Sequence, residues 1–391
     1  MTKLSSVRAR IRRAAVATAA IAMVAGCGGD TSPADSNQSA SAENPAWQAE
    51  LDKMVPAALK RDNLPGAIVG VWQDGKPLYL KAFGVADVKT GAPMTTDLHM
   101  RIGSLTKTFA ITSLLMLAKE GKVSLDDPIG KYVEGVPNGD RITLRQLAQM
   151  RSGLGDYSDV ITPQLYKDPK RPWTTQETLD VSFRQPVRFE PGAKFDYNNA
   201  NTVLIGRVVE QVSGMSFGDY VQKNILRPLG LANTSLPTDG AMPAPSPHGY
   251  GDWNPSQKVE DVTDWNPSWG WAAGAMVSNA QDIAKWTRAM ARGELVTPEL
   301  QRERMAGQPA STEGAGAKYG LAYEIHPGGW MGHNGRIPGF TTYPYYLPAE
   351  KLTVVLLLNT SANVVAGWNL FGEVVKTITP DHPWSGLPTE D

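Results

Sequence analysis

Cysteine is almost missing from this chain: among 391 residues only Cys27 is one. No internal disulfide can form, and no cysteine cluster is available to hold a metal. Histidine is nearly as scarce. The five present (His99, His248, His326, His333 and His382) include no His-Glu-x-x-His pair, so neither a metal nor any other cofactor is expected. None but His333 stands in a recognisable motif, which leaves a Ser-His-Asp triad without support. Charge of one sign is also lacking. Thirty-eight Lys and Arg against 39 Asp and Glu give a net charge of −1, which removes the electrostatic case for a nucleic-acid partner. What remains, 41% hydrophobic and 20% charged residues, is the composition of a globular protein with a sizeable core.

The first residues differ in kind from the rest. Arg8, Arg10, Arg12 and Arg13 precede an apolar run from Ala14 to Ala25, too short for a membrane span but suited to the core of a signal peptide. The run ends in Val24-Ala25-Gly26-Cys27, which resembles the bacterial lipobox. That resemblance implies removal of residues 1–26, lipidation of Cys27 and attachment of the exported protein to the cell membrane, facing the cell wall or periplasmic space. The Arg12-Arg13 pair leaves both twin-arginine and ordinary Sec export open. Residues 27–45 are mainly Ser, Ala, Asp, Asn and Gly, a composition that cannot form a core and reads as a flexible tether.

The body, 46–391, opens on Trp47, Leu51, Met54, Val55 and Leu59 at helical spacing. Strands are predicted from Ala67 to Trp72 and Leu78 to Phe83 around Asp74-Gly75, a dipeptide suited to a tight hairpin. A second pair, Phe340 to Tyr346 and Leu352 to Leu358, lies near the other end, followed by a helix from about Ala362 to Ile378. Apolar almost throughout, Leu352 to Leu358 reads as a central strand covered on both faces. The expectation is an α+β fold: an antiparallel sheet built from both termini, flanked by helices, with an inserted and mainly helical lobe over roughly 125–265. Tryptophans crowd between Trp253 and Trp286, as ordinary packing or as the lining of a cleft.

Chemistry enters at Arg101-Ile102-Gly103-Ser104-Leu105-Thr106-Lys107. Phe109, Ile111, Leu114, Leu115 and Leu117 make this the start of a helix that Gly121 can end. Ser104 then sits at a helix N-terminus, and Lys107 lies one turn further on the same face. A serine hydroxyl needs a nearby base, and a lysine can serve if burial or neighbouring positive charge lowers its pKa. Ser-x-x-Lys alone also fits a helix cap beside a solvated charge. Two further pieces, Tyr197-Asn198-Asn199 and His333-Asn334-Gly335, complete a set.

Ser-x-x-Lys, Tyr-x-Asn and Lys- or His-x-Gly in this order resemble the motifs of the serine penicillin-recognising enzymes. Connecting segments are similar too: Lys122 to Ile129, Ile142 to Leu147, Arg151 to Leu154, and Phe189 to Gly192. The branch most resembled holds class C β-lactamases, secreted DD-carboxypeptidases and family VIII esterases. The resemblance implies an acyl-enzyme on Ser104, with Tyr197 relaying the proton, Lys107 tuning it or acting as base, and Asn199 bonding the substrate's amide carbonyl. It places Trp330 to Arg336 as an edge strand where Gly335 lets substrate approach. The backbone N–H groups of Ser104 and Arg336 would form the oxyanion hole, and Trp269 would lie beside the substrate. Two departures stand out. His333 replaces the usual Lys, so its charge near neutral pH is conditional, and Asn334 replaces the usual Thr, with Arg336 as a substitute contact for a substrate carboxylate.

Competing readings are weaker. Gly214-Met215-Ser216-Phe217-Gly218 matches a nucleophile elbow, but the helical spacing of Thr202 to Val212 precedes it where a strand is needed; Ser216 reads as a helix cap. Asp126-Asp127 reads as a helix start before Pro128. By substrate, the expectation favours a D-alanyl-D-alanine carboxypeptidase or broad amide and ester hydrolase of the cell envelope over a dedicated β-lactamase. The rival from another class is a lipoprotein that binds cell-wall fragments without turnover.

Overall fold

The computed structural model describes residues 45–237, 239–310 and 316–384. The segment 1–26, Cys27 and all but the last residue of the tether lie outside the described residues.

The first helix, α1 (Ala46–Asp62), buries Leu51, Val55, Ala58 and Leu59 along one stripe. It leads into β1 (Gly66–Gln73) and β2 (Lys76–Asp87). Their turn has positive φ at both Asp74 (48°) and Gly75 (81°), the conformation that the dipeptide predicts. Next come α2 (Thr106–Lys119), α3 (Ser158–Lys167), α4 (Asn199–Ser213) and α5 (Ala280–Arg292). The chain then forms β3 (Lys318–Tyr319), β4 (Glu324–Ile325), β5 (Met331–Gly332), β6 (Gly335–Ile337), β7 (Phe340–Leu347) and β8 (Leu352–Leu358), and closes with α6 (Val364–Ile378).

Among the described residues, ten strands make one antiparallel sheet in the order Ala92–Pro93, β2, β1, β8, β7, β5, β4, β3 and Gln308–Pro309, with β6 pairing to β7. The sheet therefore joins both ends of the body: Val69 of β1 faces Leu356 of β8. Alternation along these strands divides the interior into two cores. Ala67, Val69, Val71, Val354, Leu356 and Leu358 pack with α1 and α6. Ile68, Val355 and Leu357 face the other core, with α2 and α5. That double cover is why β8 carries no polar face.

Two expectations change. The stretch Trp330 to Arg336 is broken into β5 and β6 at His333-Asn334, because Asn334 spends its backbone N–H (3.2 Å) and its amide (2.9 Å) on Glu324 Oε1. Asp126-Asp127 opens no α-helix; only a 3-10 turn at Ile129–Lys131 follows, and Asp126 is paired with Arg145 instead. Ser216 caps Phe217–Val221 by accepting from the Asp219 N–H, as the cap reading requires.

Candidate active site

Ser104 sits in a 3-10 turn, Gly103–Leu105, that runs straight into α2. Met100–Arg101 pairs with Val277–Ser278, and the Ile102 N–H donates to Met276 O at 3.0 Å. These bonds hold the turn against the Trp271–Gly274 segment. Lys107 follows on the first turn of α2 and is wholly buried. Its Nζ lies 2.9 Å from Ser104 Oγ, 2.7 Å from Asn199 Oδ1 and 2.8 Å from Ala273 O. An amide oxygen and a backbone carbonyl can only accept, so two of the amine's N–H bonds are fixed in either protonation state. The third direction points at the serine, carrying a hydrogen when the amine is charged and a lone pair when it is neutral.

The opposite wall comes from the start of α4 and the loop before α3. Asn198 caps α4 by accepting from the Ala200 N–H and donates to Leu154 O at 2.7 Å. This anchor presents Tyr197 and Asn199 to the cleft, with the Tyr197 ring centroid 4.9 Å from Lys107 Nζ. Asn199 is turned inward: its Oδ1 takes Lys107, while its Nδ2 donates to Asp156 Oδ2 (3.1 Å) and Ser158 Oγ (3.2 Å). Both amide ends are thus engaged within the protein, Oδ1 on Lys107 and Nδ2 on Asp156 and Ser158, whereas the resemblance implies a bond to the substrate's amide carbonyl. Asp156 is buried, and burial pushes its carboxyl above the ordinary value despite backbone bonds from Ser158 and Asn199.

β6 supplies the third wall. A Cβ on Gly335 would stand 1.9 Å from Ile102 O, and one on Gly103 (φ +51°) would stand 2.6 Å from Arg336 N. Both glycines are needed for the strand to lie against the serine turn, and this brings the Arg336 amide beside Gly103, the residue before Ser104. Gly335 therefore makes room for Ile102, not for substrate. His333 is buried with both ring nitrogens engaged, Nε2 at 2.8 Å from Tyr319 Oη and Nδ1 at 2.6 Å from Asn334 O. Its ring lies 6.1 Å from that of Tyr197. Asn334 faces Glu324, away from the cleft.

A cavity of about 190 Å³ is lined by Ser104, Tyr197, Asn199 and Trp269 together with Arg336, and also by Ser158, Asp159, Thr162 and Trp253. Ser104, Lys107, Tyr197 and Asn199 are thus one cluster, with Trp269 and Arg336 on the cavity wall. His333, Asn334 and Gly335 stand behind it. The tryptophan-rich stretch serves both purposes: Trp253 and Trp269 line the cavity, whereas Trp286 stacks on Phe109 at 4.1 Å in the core. Sequence reasoning missed Asp156, Ser158, Asp159 and Thr162. They follow directly on the Arg151 to Leu154 segment, but only the tertiary fold shows which of these polar residues meet Asn199.

Comparison with known proteins shows the family and the fold. The profile of the family described as Beta-lactamase matches residues 51–372. The chain belongs to the beta-lactamase family. Among its relatives, the D-aminopeptidase of Brucella anthropi is 27% identical over 346 residues, which cover 84% of this chain and 64% of that protein. The chain thus spans under two thirds of that relative's length. A D-stereospecific amidohydrolase from Streptomyces sp. superposes with a TM-score of 0.75 at 28% identity, over 84% of this chain and 97% of the other. The D-amino acid amidase of Ochrobactrum anthropi SV3, in its complex with L-phenylalanine amide, gives 0.75 at 29% identity, over 85% and 99%. As a member of this family the protein is a serine hydrolase of the β-lactamase and penicillin-binding-protein kind, with their fold.

Proposed function

We propose that the protein is an amidase or peptidase that cleaves short D-amino-acid amides and peptides through an acyl-enzyme on Ser104. The observation that carries this reading is the Lys107 amine, held by Asn199 and Ala273 with its remaining direction on Ser104 Oγ at 2.9 Å. In the first step Oγ attacks the substrate's carbonyl carbon while its proton passes to the Lys107–Tyr197 pair. Negative charge grows on the carbonyl oxygen, where the amides of Ser104 and Arg336 stabilise it. The C–N bond then breaks, the departing amine takes the proton, and water releases the acid from Ser104 by the same sequence in reverse.

The similarity to a D-aminopeptidase, a D-stereospecific amidohydrolase and a D-amino acid amidase supports an amide substrate of that configuration. Asp159 supports a free ammonium on the substrate. It lines the cavity and shares Arg188 with Asp196, so two carboxylates face one guanidinium and the trio keeps negative charge. The second reading, a D-alanyl-D-alanine carboxypeptidase, is favoured by Arg336, which lines the cavity and whose guanidinium, 5.1 Å from the ring of the cavity residue Trp253 and bonded through Nε to Ser361 O, suits a substrate carboxylate. A substrate panel separates them. D-phenylalanine amide turned over with a KM raised in Asp159→Asn and little changed in Arg336→Gln is the expected outcome. Turnover confined to N-acylated D-Ala-D-Ala, with the opposite response to the two variants, would overturn the amidase reading.

The same proposal places the enzyme outside the cell membrane on a lipid at Cys27. Incorporation of labelled palmitate that survives Cys27→Ala would contradict it.

A further inference from the structure

We propose that Glu324, a carboxylate on β4 outside the cleft, is a positioning residue for the acyl-transfer site: it fixes the His333 ring in one tautomer and pins the Asn334–Arg336 segment beside the Ser104 turn. This rests on the reading of the cleft as the place of Ser104 chemistry.

Glu324 is wholly buried, where a carboxylate persists only if donors surround it. They do. Oε1 accepts from the Asn334 N–H at 3.2 Å and the Asn334 amide at 2.9 Å, and His333 Nδ1 stands 3.3 Å away. Oε2 meets His326 Nε2 at 3.2 Å and the Tyr345 hydroxyl. Burial alone would raise this carboxyl, but His333, His326 and Tyr345 outweigh it and hold it below its ordinary value.

Two consequences reach the cleft. Asn334 is bonded twice to Glu324, and the next two residues are Gly335, packed on Ile102, and Arg336, whose amide lies beside Gly103. Freeing Asn334 frees the segment that carries that amide. The second consequence concerns the ring. Asn334 O can only accept, so Nδ1 of His333 carries a proton and points toward the Glu324 charge. Nε2 of the neutral ring then accepts from the Tyr319 hydroxyl at 2.8 Å, and the Tyr319 ring meets Tyr197 edge-on at 6.2 Å. The opposite tautomer would set a lone pair against both the Asn334 carbonyl and the Glu324 carboxylate.

The groups facing His333 are Lys107 from α2, Tyr197 ahead of α4, Tyr319 from β3, Glu324 from β4 and His326 after it. Tyr345 of β7 acts through Glu324. Burial, with Lys107 and His326, lowers the imidazole below its ordinary value, and the Glu324 charge opposes that shift. Removing the charge must therefore move the His333 titration to lower pH.

The test is the imidazole 15N–1H spectrum of the full chain, with His333 assigned by His333→Gln, beside kcat/KM against pH. In the wild type, His333 should be neutral and protonated at Nδ1 at pH 7. In Glu324→Gln its titration should move to lower pH, the acid limb of kcat/KM should follow it, and kcat/KM should fall roughly tenfold or more, the worth of one lost bond to a charged group. Glu324→Asp, which keeps the charge, should return the titration toward the wild type.

A wild-type ring that is charged, or protonated at Nε2 alone, overturns the proposal, and this arm does not depend on the folding of Glu324→Gln. Loss of activity in Glu324→Gln with an unmoved His333 titration also overturns it, because a merely structural role would look that way. Wild-type protein without Ser104-dependent turnover would instead overturn the reading of the cleft.

Discussion

Adding one methyl group at Gly335 tests how tightly the oxyanion wall is built. Its Cβ would lie 1.9 Å from Ile102 O, and also 3.0 Å from Leu105 N. Real Cβ atoms keep about 3.0 Å or more from such neighbours, so the strand and the serine turn must part by about 1.1 Å. Neither obstacle is the end of a flexible side chain; both are backbone, Leu105 within the turn that carries Ser104 and Ile102 immediately before it. A misplacement of about 1 Å at a reacting centre costs on the order of a hundredfold in rate. Loss of an oxyanion donor costs about 10²–10³-fold, and overpacking costs about 1–3 kcal/mol of stability. Gly335→Ala is thus expected to remain folded by circular dichroism while kcat/KM for an amide substrate drops by roughly two orders of magnitude, mostly in kcat. Retention of more than about a tenth of wild-type kcat/KM in a folded variant would show that β6 does not position the Arg336 amide.

Asp156→Asn keeps the size of a side chain that accepts from both the Asn199 N–H and its amide, each at 3.1 Å, and from the Ser158 N–H. Its NH2 must face either the two Asn199 donors on Oδ2 or the Ser158 N–H on Oδ1, so the wall that orients Asn199 and Lys107 loosens and kcat should fall about tenfold; steady-state kinetics with unchanged kcat would refute this. His248 and Asp261, 2.6 Å apart and about half exposed, tie together the two strands Tyr250–Gly251 and Glu260–Asp261 that flank Trp253. The hydrogen bond that His248 donates to the Asp261 carboxylate raises the His248 pKa, so the pair's contribution is complete below 6.5 and is lost as pH rises through that higher value. At this exposure it amounts to about 1 kcal/mol or less. Hydrogen exchange in the ladder, corrected for its intrinsic pH dependence, should accelerate on passing above neutrality in the wild type and not in His248→Ala; equal profiles would refute the coupling.

The scaffold was legible because its signals are local. Asp74-Gly75 marks a turn with two positive φ angles, and the run of β8, apolar but for Thr353, announces a strand with both faces covered. Ser104 and Lys107 were legible for the same reason, since three residues along a helix bring side chains to one face. Tyr197 and Asn199 needed the resemblance, because nothing in their own spacing says that they meet Lys107. What escaped was the set of partners that decide where polar groups point. Asn199 aims inward because Asp156, forty-odd residues earlier, offers it a buried carboxylate. Asn334 turns from the cleft because Glu324 waits behind it. A single acid in the apolar strand segment Tyr323-Glu324-Ile325 was the available signal for the second of these, since a charge in a buried strand needs partners.

The central claim is that a covalent intermediate forms on Ser104, and intact mass spectrometry of protein quenched during turnover tests it most directly. Wild type and Ser104→Ala would be incubated in parallel with a D-amino-acid ester and with a penicillin, and the modified peptide located after digestion. The expected result is a one-to-one acyl adduct on the peptide holding Ser104, formed and lost at rates compatible with kcat for the ester. Ser104→Ala, with an unchanged circular dichroism spectrum, should show neither adduct nor turnover. An adduct on another residue, or hydrolysis that persists in Ser104→Ala, would contradict it.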